Sequence, residues 1–341
     1  MRILLLGPLR SSFVKTDIQE LSKAHTVVAL DTILGKGLKA GVSLVSLTFR
    51  TIVQLLRADV LYCWFADYHT LIPILVARLL RRQAIVIAGG YDVGWLPELG
   101  YGARARPLRW FFARNSFRFA SLVLPVSEYA QRQLHMLTNG KHAHSVVVYN
   151  GILADRFPAE ITGAREPLAI TVSQGNSITE YVRKGLDRFI AVARLVPTVE
   201  FVIIGPTGAA LHRAQADALG VENVNVIPGF VSLHDTIIPY FMRASCYCQF
   251  SIEETFGMAV VEAMLCGCIP VTTNGGALPE VTGNAGYRGE VDIELAQGVM
   301  ASINAESDAR QEARTYAMRF SSDARGKKLL ELFHTIKIAR I

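Results

Sequence analysis

Short runs of apolar, often β-branched residues alternate with longer stretches of helical character along the whole chain. The first half has six such runs, at 2–8, 26–30, 59–65, 84–90, 122–127 and 145–151. The second half has five, at 168–175, 200–206, 224–230, 246–251 and 268–273. Continuous apolar strands separated by helices are typical of parallel sheets that are covered on both faces. The pattern therefore predicts an α/β protein with two Rossmann-like, doubly wound domains.

The boundary between the two domains is predicted within "NGILADRFPAE", residues 150–160. Its Asn-Gly and Phe-Pro pairs are turn signals between the end of one set of strands and the start of the next. We therefore expect an N-terminal domain over 1–152 and a second domain from 153 onward. Since open parallel sheets bind ligands at the carboxyl ends of their strands, we expect the site in the cleft between the domains.

The composition is typical of a folded, mostly soluble protein. The chain has 341 residues, of which 51% are hydrophobic and 19% charged. Its first residues lack the cleavage pattern of a signal peptide, and no apolar run reaches the length of a membrane span. We therefore expect a cytoplasmic protein. The five cysteines are expected to be buried thiols, because the two Cys-x-Cys pairs lie in apolar runs and lack the usual ligand spacing of zinc sites.

Basic residues are concentrated in the first half of the chain. Residues 1–152 contain 18 Lys and Arg against 8 Asp and Glu, whereas residues 153–341 contain 17 against 21. The densest stretch is 104–119, "RARPLRWFFARNSFRF", in which five arginines alternate with aromatic residues. This stretch either lies on an anionic membrane, or forms a helix that buries its rings and leaves its arginines in water. A nucleic-acid partner is not expected, since no motif of that class accompanies the charge.

The second half contains the pattern of an anion site. The glycine fingerprint of a dinucleotide site and the P-loop are both absent from the sequence. Instead, Arg183 and Lys184 precede a helix that is expected to start near Gly185, and a second helix is expected to start behind Phe256 and Gly257. Free N–H groups at a helix start attract anions, and glycine allows close approach. Two basic side chains beside such a start suit a diphosphate.

Two glutamates frame the second of these helices. Glu254 precedes the helix and Glu262 follows eight residues later, about two turns along and on roughly the same side. A carboxylate only accepts hydrogen bonds, so it is a good partner for vicinal hydroxyl groups. With a diphosphate between them, one glutamate can hold a ribose and the other a hexose. The pattern favours a nucleotide sugar as ligand.

With these residues the sequence resembles family 4 of the retaining glycosyltransferases, the "group 1" glycosyl transferases with two Rossmann-like domains. The resemblance rests on the Glu254 to Glu262 element, on "RKGLDRFIAVARLVPTVEFVIIG" (183–205), and on "VSEYAQRQL" followed by "VVYNGILADRF". It implies the GT-B fold, with an acceptor domain over 1–152 and a donor domain over 153–319. It also implies that a last helix, 320–341, packs back on the first domain.

The resemblance further implies roles for single residues. The catalytic residues would be Glu254, Lys184, Arg183 and Asp92. The donor-binding residues would be Glu262, Phe256, Gly257, Met258, Ala259, Gly7, Gly229 and Phe230. His69, after the third strand, is a candidate for acceptor contact or a surface cap. Asp92 either acts in the cleft or only caps a turn.

The implied reaction is transfer of a hexose from a nucleotide-diphosphate sugar to a saccharide or lipid-linked acceptor, as in polysaccharide biosynthesis at the inner membrane surface. No cofactor is expected, and no metal, because the chain contains no Asp-x-Asp. Many family members have a histidine where this chain has Gly89, which leaves the acid or base open. The alternatives are an epimerase or phosphorylase on the same fold, and a non-catalytic subunit that binds a nucleotide sugar.

Overall fold

A computed structural model describes residues 1–33, 38–161 and 163–338. The chain divides into two compact units. The N-terminal unit combines Met1–Ile152 with Phe320–Ile341, and the C-terminal unit is Leu153–Arg319. Each unit is built around one parallel sheet.

In the N-terminal unit, the described residues form a five-stranded sheet in the order β2-β1-β3-β4-β5. The strands are β1 (Arg2–Gly7), β2 (Thr26–Asp31), β3 (Val60–Trp64), β4 (Gln83–Ala88) and β5 (Leu122–Pro125). Every pairing is parallel. Strands β3 and β4 are almost wholly buried, which agrees with their continuous apolar sequence.

The helices of this unit connect the strands and cover the sheet. They are α1 (Ser12–Ser22), α2 (Leu38–Leu55), α3 (Leu71–Leu79), α4 (Pro107–Phe119), α5 (Glu128–Thr138) and, from the other end of the chain, α14 (Ser322–Ile338). Helix α14 packs against α1. The contact includes a buried ion pair in which Arg325 Nε donates to Asp17 Oδ1 at 2.5 Å.

The C-terminal unit has a six-stranded parallel sheet in the order β11-β10-β9-β6-β7-β8. The strands are β6 (Glu166–Val172), β7 (Glu200–Ile204), β8 (Val224–Ile227), β9 (Ala244–Gln249), β10 (Ile269–Thr272) and β11 (Tyr287–Arg288). The first strand of the unit lies next to the fourth, so the sheet is doubly wound. The prediction of two doubly wound α/β domains is confirmed.

The helices of the C-terminal unit, which include several short ones, follow the same alternation. They are α6 (Ile178–Arg183), α7 (Leu186–Leu195), α8 (Gly208–Asp217), α9 (Ile238–Arg243), α10 (Met258–Leu265), α11 (Leu278–Thr282), α12 (Asp292–Ile303) and α13 (Ser307–Ala317). Aromatic and β-branched side chains, among them Phe189, Phe201 and Phe250, form the core between sheet and helices. All five cysteines are buried free thiols, as predicted.

One predicted strand does not form, and one strand of the structure was not predicted. Residues 145–151 do not form a strand of the sheet; only Ser145 makes an isolated bridge, to Val123. Backbone N–H groups of Val146 and Val148 still donate to β5, so the apolar run lies beside the sheet edge without a full ladder. Conversely, β11 was missed because two residues are too short to show a period.

Candidate functional site

Strand order predicts that a ligand of the C-terminal unit binds beside the junction of β6 and β9. The strand order reverses at this point, because β7 lies on the far side of β6 and β10 lies on the far side of β9. Ligands of open α/β sheets bind outside the carboxyl ends of the strands at such a reversal. Strand β9 ends at Gln249, and the segment that follows it contains Glu254. Glu254, a predicted site residue, therefore follows a strand end at which the topology favours ligand binding.

Glycines allow the loops at this edge to pack backbone against backbone. A side chain at Gly275 would place its Cβ 2.1 Å from the Ser251 carbonyl oxygen, and one at Gly276 would lie 2.2 Å from that of Glu254. Gly276 also has a φ of +69°, which other residues rarely adopt. The loop after β10 thereby supports the backbone that presents Glu254.

A third glycine brings the basic pair to the same place. Gly185 joins α6 to α7 with a φ of +67°, and a Cβ there would lie 2.1 Å from the Phe250 carbonyl oxygen. The backbone N–H of Ile252 donates to the Arg183 carbonyl at 2.9 Å. These contacts hold Lys184 against the segment after β9.

Lys184 and Glu254 contact each other directly. The lysine Nζ donates to Glu254 Oε1 at 2.5 Å, and the same oxygen accepts from Ser251 Oγ at 3.0 Å and from Gln249 Nε2 at 3.2 Å. Within the described ranges no hydrogen bond reaches the second oxygen, Oε2. One side of the carboxylate is thus fixed by three donors, and the other remains available to a ligand.

The charge state of Glu254 follows from these neighbours. Burial by itself raises the pKa of this carboxyl group, but the charges of Lys184 and Arg183 and the hydrogen bonds outweigh burial, so the pKa is lowered from its ordinary value. Glu254 is therefore ionised at neutral pH. A buried carboxylate held in this state is a strong acceptor for hydroxyl groups.

Glu262 lies on α10 and differs from Glu254 in its surroundings. It is half-buried, and burial raises its pKa to about 7. Tyr247, on β9, has its pKa raised chiefly by burial, and the charges of both Glu254 and Glu262 contribute. Both carboxylates therefore lie within electrostatic range of one phenol group.

Glu254 precedes α10, as predicted, but the predicted spacing of about two helical turns to Glu262 is wrong. Helix α10 begins at Met258, so the first four residues of the interval between the two glutamates are not helical. What connects Glu254 to the sheet is a chain of hydrogen bonds from Tyr247 through Gln249 and Ser251. Strand β9, with α10 packed on it, brings the two glutamates to the same region.

Arg183 is used within the protein. It is almost buried, pairs with Glu180 at 2.8 Å, and donates from Nη1 to the Glu253 carbonyl at 3.0 Å. Its charge still acts on Glu254. The structure thus places Arg183 behind the Lys184–Glu254 pair, and its predicted contact with a diphosphate stays a prediction.

Helix α10 starts directly after Phe256 and Gly257, where the sequence predicts a helix start, and its role as an anion site stays a prediction. Phe256 is buried and anchors the turn, Gly257 has a φ of +97°, and Met258 and Ala259 are half-buried. Helix geometry leaves the first N–H groups without partners inside the helix. The two predicted donor-binding residues after β8 differ in exposure, since Gly229 is half-buried whereas the Phe230 side chain is 83% exposed.

The predicted residues of the first domain lie in the N-terminal unit, at the carboxyl ends of its strands. Gly7 ends β1, and a Cβ there would lie 3.1 Å from Trp64 Cβ, so close packing alone accounts for this glycine. Asp92 is buried, and its oxygens accept from the backbone N–H groups of Ala66, Gly89 and Gly90 at 2.9–3.2 Å. It joins the loops after β3 and β4, so its position is that of a loop cap. Burial raises its pKa to about 6.

The glycine that replaces the family histidine also has a physical reason. A Cβ at Gly89 would lie 3.0 Å from the ring of Phe65 and 3.0 Å from the ring of Trp64. The space that a side chain at this position would need is therefore occupied by two aromatic rings. Trp64 and Phe65 form a cluster with Phe13, so the rings cannot move independently.

A second polar cluster surrounds His69. We call Asp67, His69, Tyr91 and Arg109 the Asp67 cluster. Arg109 forms a bidentate pair with Asp67 and stacks over the Tyr91 ring at 4.1 Å. His69 is buried with its Nε2 unpartnered among the described residues, and the Tyr91 hydroxyl is likewise buried without a partner there.

The Asp67 cluster is electrostatically connected. Burial lowers the pKa of His69 to about 4, and the charges of Asp67 and Arg109 act on it in opposite directions. Burial raises the pKa of Tyr91 to about 12, with the same two charges contributing. The histidine is therefore neutral at pH 7. Of these four residues, the sequence indicated only His69 as a site residue. Arg109 is one of five arginines in the stretch 104–119, and Asp67 and Tyr91 follow strands but belong to no motif.

Comparison with known proteins agrees with the fold, and a family model matches most of the second unit. Residues 170–319 match the family model for glycosyl transferases group 1. This range contains Lys184, Glu254 and Glu262.

Two curated relatives match parts of the chain. The gpi3 subunit of the phosphatidylinositol N-acetylglucosaminyltransferase of Schizosaccharomyces pombe is 31% identical over 142 residues, which is 40% of this chain and 30% of that protein. A D-inositol 3-phosphate glycosyltransferase from Mycobacterium sp. (strain KMS) is 27% identical over 259 residues, 62% of this chain and 58% of the relative. The matches thus span about a third to just over half of these relatives.

Solved structures match nearly the whole chain. A sucrose-phosphate synthase from Thermosynechococcus elongatus has a TM-score of 0.78 at 13% identity and covers 99% of this chain and 100% of that one. Anabaena HepE, solved in complex with UDP-glucose, has a TM-score of 0.76 at 17% identity and covers 98% and 100%. The fold is therefore the GT-B fold of glycosyltransferases.

Proposed function

We propose that this chain, whose residues 170–319 match the family model for glycosyl transferases group 1, belongs to that family and is a retaining glycosyltransferase. It moves a hexose from a nucleotide-diphosphate sugar to a saccharide or lipid-linked acceptor and needs no metal. The observation that carries the proposal is the Lys184–Glu254 pair at the carboxyl end of β9, which leaves Glu254 Oε2 and the start of α10 available to one ligand.

In this proposal the donor binds across that group of residues. Lys184 has three N–H donors, of which one is used by Glu254, so the others can bind a phosphate oxygen. The free N–H groups at Gly257, Met258 and Ala259 bind the same diphosphate. Glu254 Oε2 accepts from a sugar hydroxyl, and Glu262 accepts from the ribose. HepE, which shares the fold, was solved with UDP-glucose, and that supports a donor of this class.

The proposed reaction leaves the proton with the leaving group. The bond between the sugar anomeric carbon and the diphosphate oxygen breaks, the acceptor oxygen bonds to the same carbon on the same face, and the acceptor proton passes to the departing phosphate. This route requires no imidazole, which fits the aromatic rings that occupy the space beside Gly89. Arg183 acts as a positioning residue through Glu253 and the charge it places near Glu254.

The Asp67 cluster is the proposed acceptor site. Its paired charges, neutral His69 and unpartnered Tyr91 hydroxyl offer both donors and acceptors, which suits the several hydroxyl groups of a saccharide or cyclic polyol. The names of both curated relatives refer to inositol compounds, which supports an acceptor rich in hydroxyl groups. Asp92 holds the two loops that carry the cluster, and we propose a positioning role for it.

The first test is donor binding. Isothermal titration against UDP-, GDP- and ADP-sugars, with and without a chelator, should identify one nucleotide whose binding is unchanged by removal of metals. Lys184→Ala should abolish this binding or weaken it at least about tenfold, since a charged hydrogen bond is worth about 1.5–3 kcal/mol. Arg213→Ala is the matched control, because Arg213 is an exposed basic residue of the same unit that pairs with Asp217 at the surface.

The second test is turnover. Release of nucleoside diphosphate that depends on an added acceptor, with an α-linked product from an α-linked donor by NMR, supports the proposal. Loss of activity in a chelator with recovery on adding magnesium contradicts the metal-free route. Donor binding without turnover on any acceptor favours a non-catalytic subunit, and conversion of the donor without release of the nucleotide favours an epimerase.

A further inference from the structure

Three helices of the N-terminal unit lie in one layer on the same side of its sheet. Helices α2, α3 and α4 connect β2 to β3, β3 to β4 and β4 to β5, and these crossovers all run in the same direction along the sheet. Since crossovers between parallel strands are right-handed, all three helices are on one face. Contacts of α3 with both α2 and α4 agree with this arrangement.

The outer side of this layer is unusually apolar. On and just after α2, large apolar side chains are exposed at intervals of three and four residues, which places them on one face of the helix. They are Val42, Val45, Phe49, Val53 and Leu56, with exposed fractions of 44–72%. Helix α3 continues the surface with Ile72, Leu75 and Leu79, and α4 with Leu108 and Phe111. We call these ten residues the apolar face.

The charged residues within the three helices that carry the apolar face are all basic. Helices α2, α3 and α4 contain no aspartate or glutamate. Exposed arginines occur on the helices and at their ends, at positions 50, 57, 78, 81, 104, 106, 114 and 118. By contrast, the other helices of the unit, α1, α5 and α14, all contain acidic residues. The basic character of the first half of the chain is therefore concentrated beside its apolar surface.

This combination restricts what can cover the face. A second copy of the chain in a twofold dimer would bring the same surface to itself, so that arginines would oppose arginines with no acidic residue on these helices to pair with. The occupant must instead accept apolar side chains and carry negative charge. An anionic lipid bilayer does both, since acyl chains accept the apolar residues and headgroup phosphates pair with guanidinium groups.

We propose that the N-terminal unit docks on an anionic membrane through the apolar face. Helix α2 lies in the plane of the interface with Val42, Val45 and Phe49 inserted, and the arginines bind lipid phosphates. Within the described residues no helix is long and apolar enough to cross a membrane. The sequence indicated only 104–119, where Phe117 proves to be buried; the structure assigns the larger share of the contact to α2 and α3.

Vesicle co-sedimentation tests this proposal independently of the transferase activity. The chain should bind vesicles of equimolar phosphatidylcholine and phosphatidylglycerol, bind vesicles of phosphatidylcholine alone weakly, and lose affinity as salt rises. Val42→Ser, Val45→Ser and Phe49→Ser combined should weaken binding to the anionic vesicles by at least about tenfold, because apolar insertion is lost. Substitution of Arg50, Arg57 and Arg78 by Gln should have a similar effect.

A control variant has the same number of changes on the other unit. Leu195, Leu219 and Ile293 are exposed by 51%, 80% and 55%, and their combined change to Ser should leave vesicle binding unaltered. Circular dichroism should show that all variants are folded. Equal binding by the α2 variant and the unaltered chain would overturn the proposal, as would no binding to anionic vesicles. A concentration-dependent dimer that the α2 variant abolishes would assign the face to a second copy instead.

Discussion

At the scale of single residues, the candidate donor site depends on two carboxylates whose environments set different charge states. Glu254 is kept ionised chiefly by the charge of Lys184, whereas burial raises the pKa of Glu262 to about 7. Both were predicted as site residues from their spacing. The sequence does not show that Lys184 pairs with Glu254, because that contact depends on how Gly185 packs on Phe250.

Removal of the Glu254 charge should reduce turnover without preventing folding. Glu254→Gln keeps the size of the side chain and an oxygen for Ser251, but it removes the charge that pairs with Lys184. If the carboxylate acts on the sugar in the transition state, kcat should fall by about 10²–10³, the usual effect of losing one preorganised group. Steady-state kinetics measure this. Glu280→Gln is the control, because Glu280 is on α11, in the same unit but outside the Lys184–Glu254 site; a similar loss there would contradict the assignment.

Titration of Glu262 should make both stability and donor binding depend on pH. Its pKa is raised in the folded state, so the folded protein binds the proton more tightly and its free energy of unfolding should fall as pH rises from about 4.5 to about 7. If the ionised form accepts from the ribose, donor affinity should rise over pH 6 to 8. Glu262→Gln should remove the contribution of this group to both dependences, which urea unfolding and titration calorimetry measure against the unaltered chain. Unchanged profiles in the variant would contradict the role of Glu262.

At the scale of elements, glycines decide how the loops at the carboxyl end of the second sheet approach one another. The apolar runs and turn signals were sufficient to predict nearly all strands, because burial of continuous apolar segments dominates their formation. The contacts of the Asp67 cluster were not predictable from the sequence. The irregular segment between β4 and α4 brings Tyr91 and Arg109 together, and such a segment leaves no periodic pattern of apolar residues. Arg183 pairs with Glu180 at a spacing of three residues within α6, which is a local contact, whereas its hydrogen bond to the Glu253 carbonyl joins residues 70 positions apart and was not predictable.

Gly276→Ala should disturb the site more than an alanine at another glycine of similar φ. Gly276 has a φ of +69° and its Cβ would meet the Glu254 carbonyl oxygen, whereas Gly220 has a φ of +74° and no atom within 4 Å of its Cβ position. Gly220→Ala should cost only the backbone term, about 1–2 kcal/mol. Gly276→Ala should cost more than Gly220→Ala in urea unfolding, and should also weaken donor binding. Equal effects of the two changes would contradict this account of the loop.

At the scale of the whole molecule, the N-terminal unit is assembled from both ends of the chain. Arg325 on α14 donates to both oxygens of Asp17 on α1 and to the carbonyls of Val148 and Tyr149. Asp17 also accepts from Tyr62 and Trp64, so one buried carboxylate connects α1, β3 and the last helix. Burial lowers the pKa of Arg325, but the Asp17 charge outweighs it and the pKa is raised.

Loss of one partner of this pair should be costly. Arg325→Met leaves Asp17 buried without its cation, and the free energy of unfolding should fall by about 3–5 kcal/mol. Asp17→Asn combined with Arg325→Met should recover part of the loss, because asparagine still accepts from Tyr62 or Trp64 but carries no charge. Urea unfolding of the single and double variants measures the difference. Equal losses would show that the missing packing of Arg325, and not the stranded charge, is responsible.

The buried Arg325–Asp17 pair also bears on the order of events during synthesis. During synthesis the first 152 residues emerge from the ribosome long before position 325 is translated. Until then Asp17, which is buried in the folded unit, has no Arg325 guanidinium to pair with. The first sheet can form early, but the Asp17 carboxylate gains its ion-pair partner, Arg325, only after the second unit has been synthesised. A fragment that ends anywhere in the second unit should therefore be less stable in its first unit than the whole chain, because Asp17 lacks its cation. This holds even though all the strands of the first sheet are present.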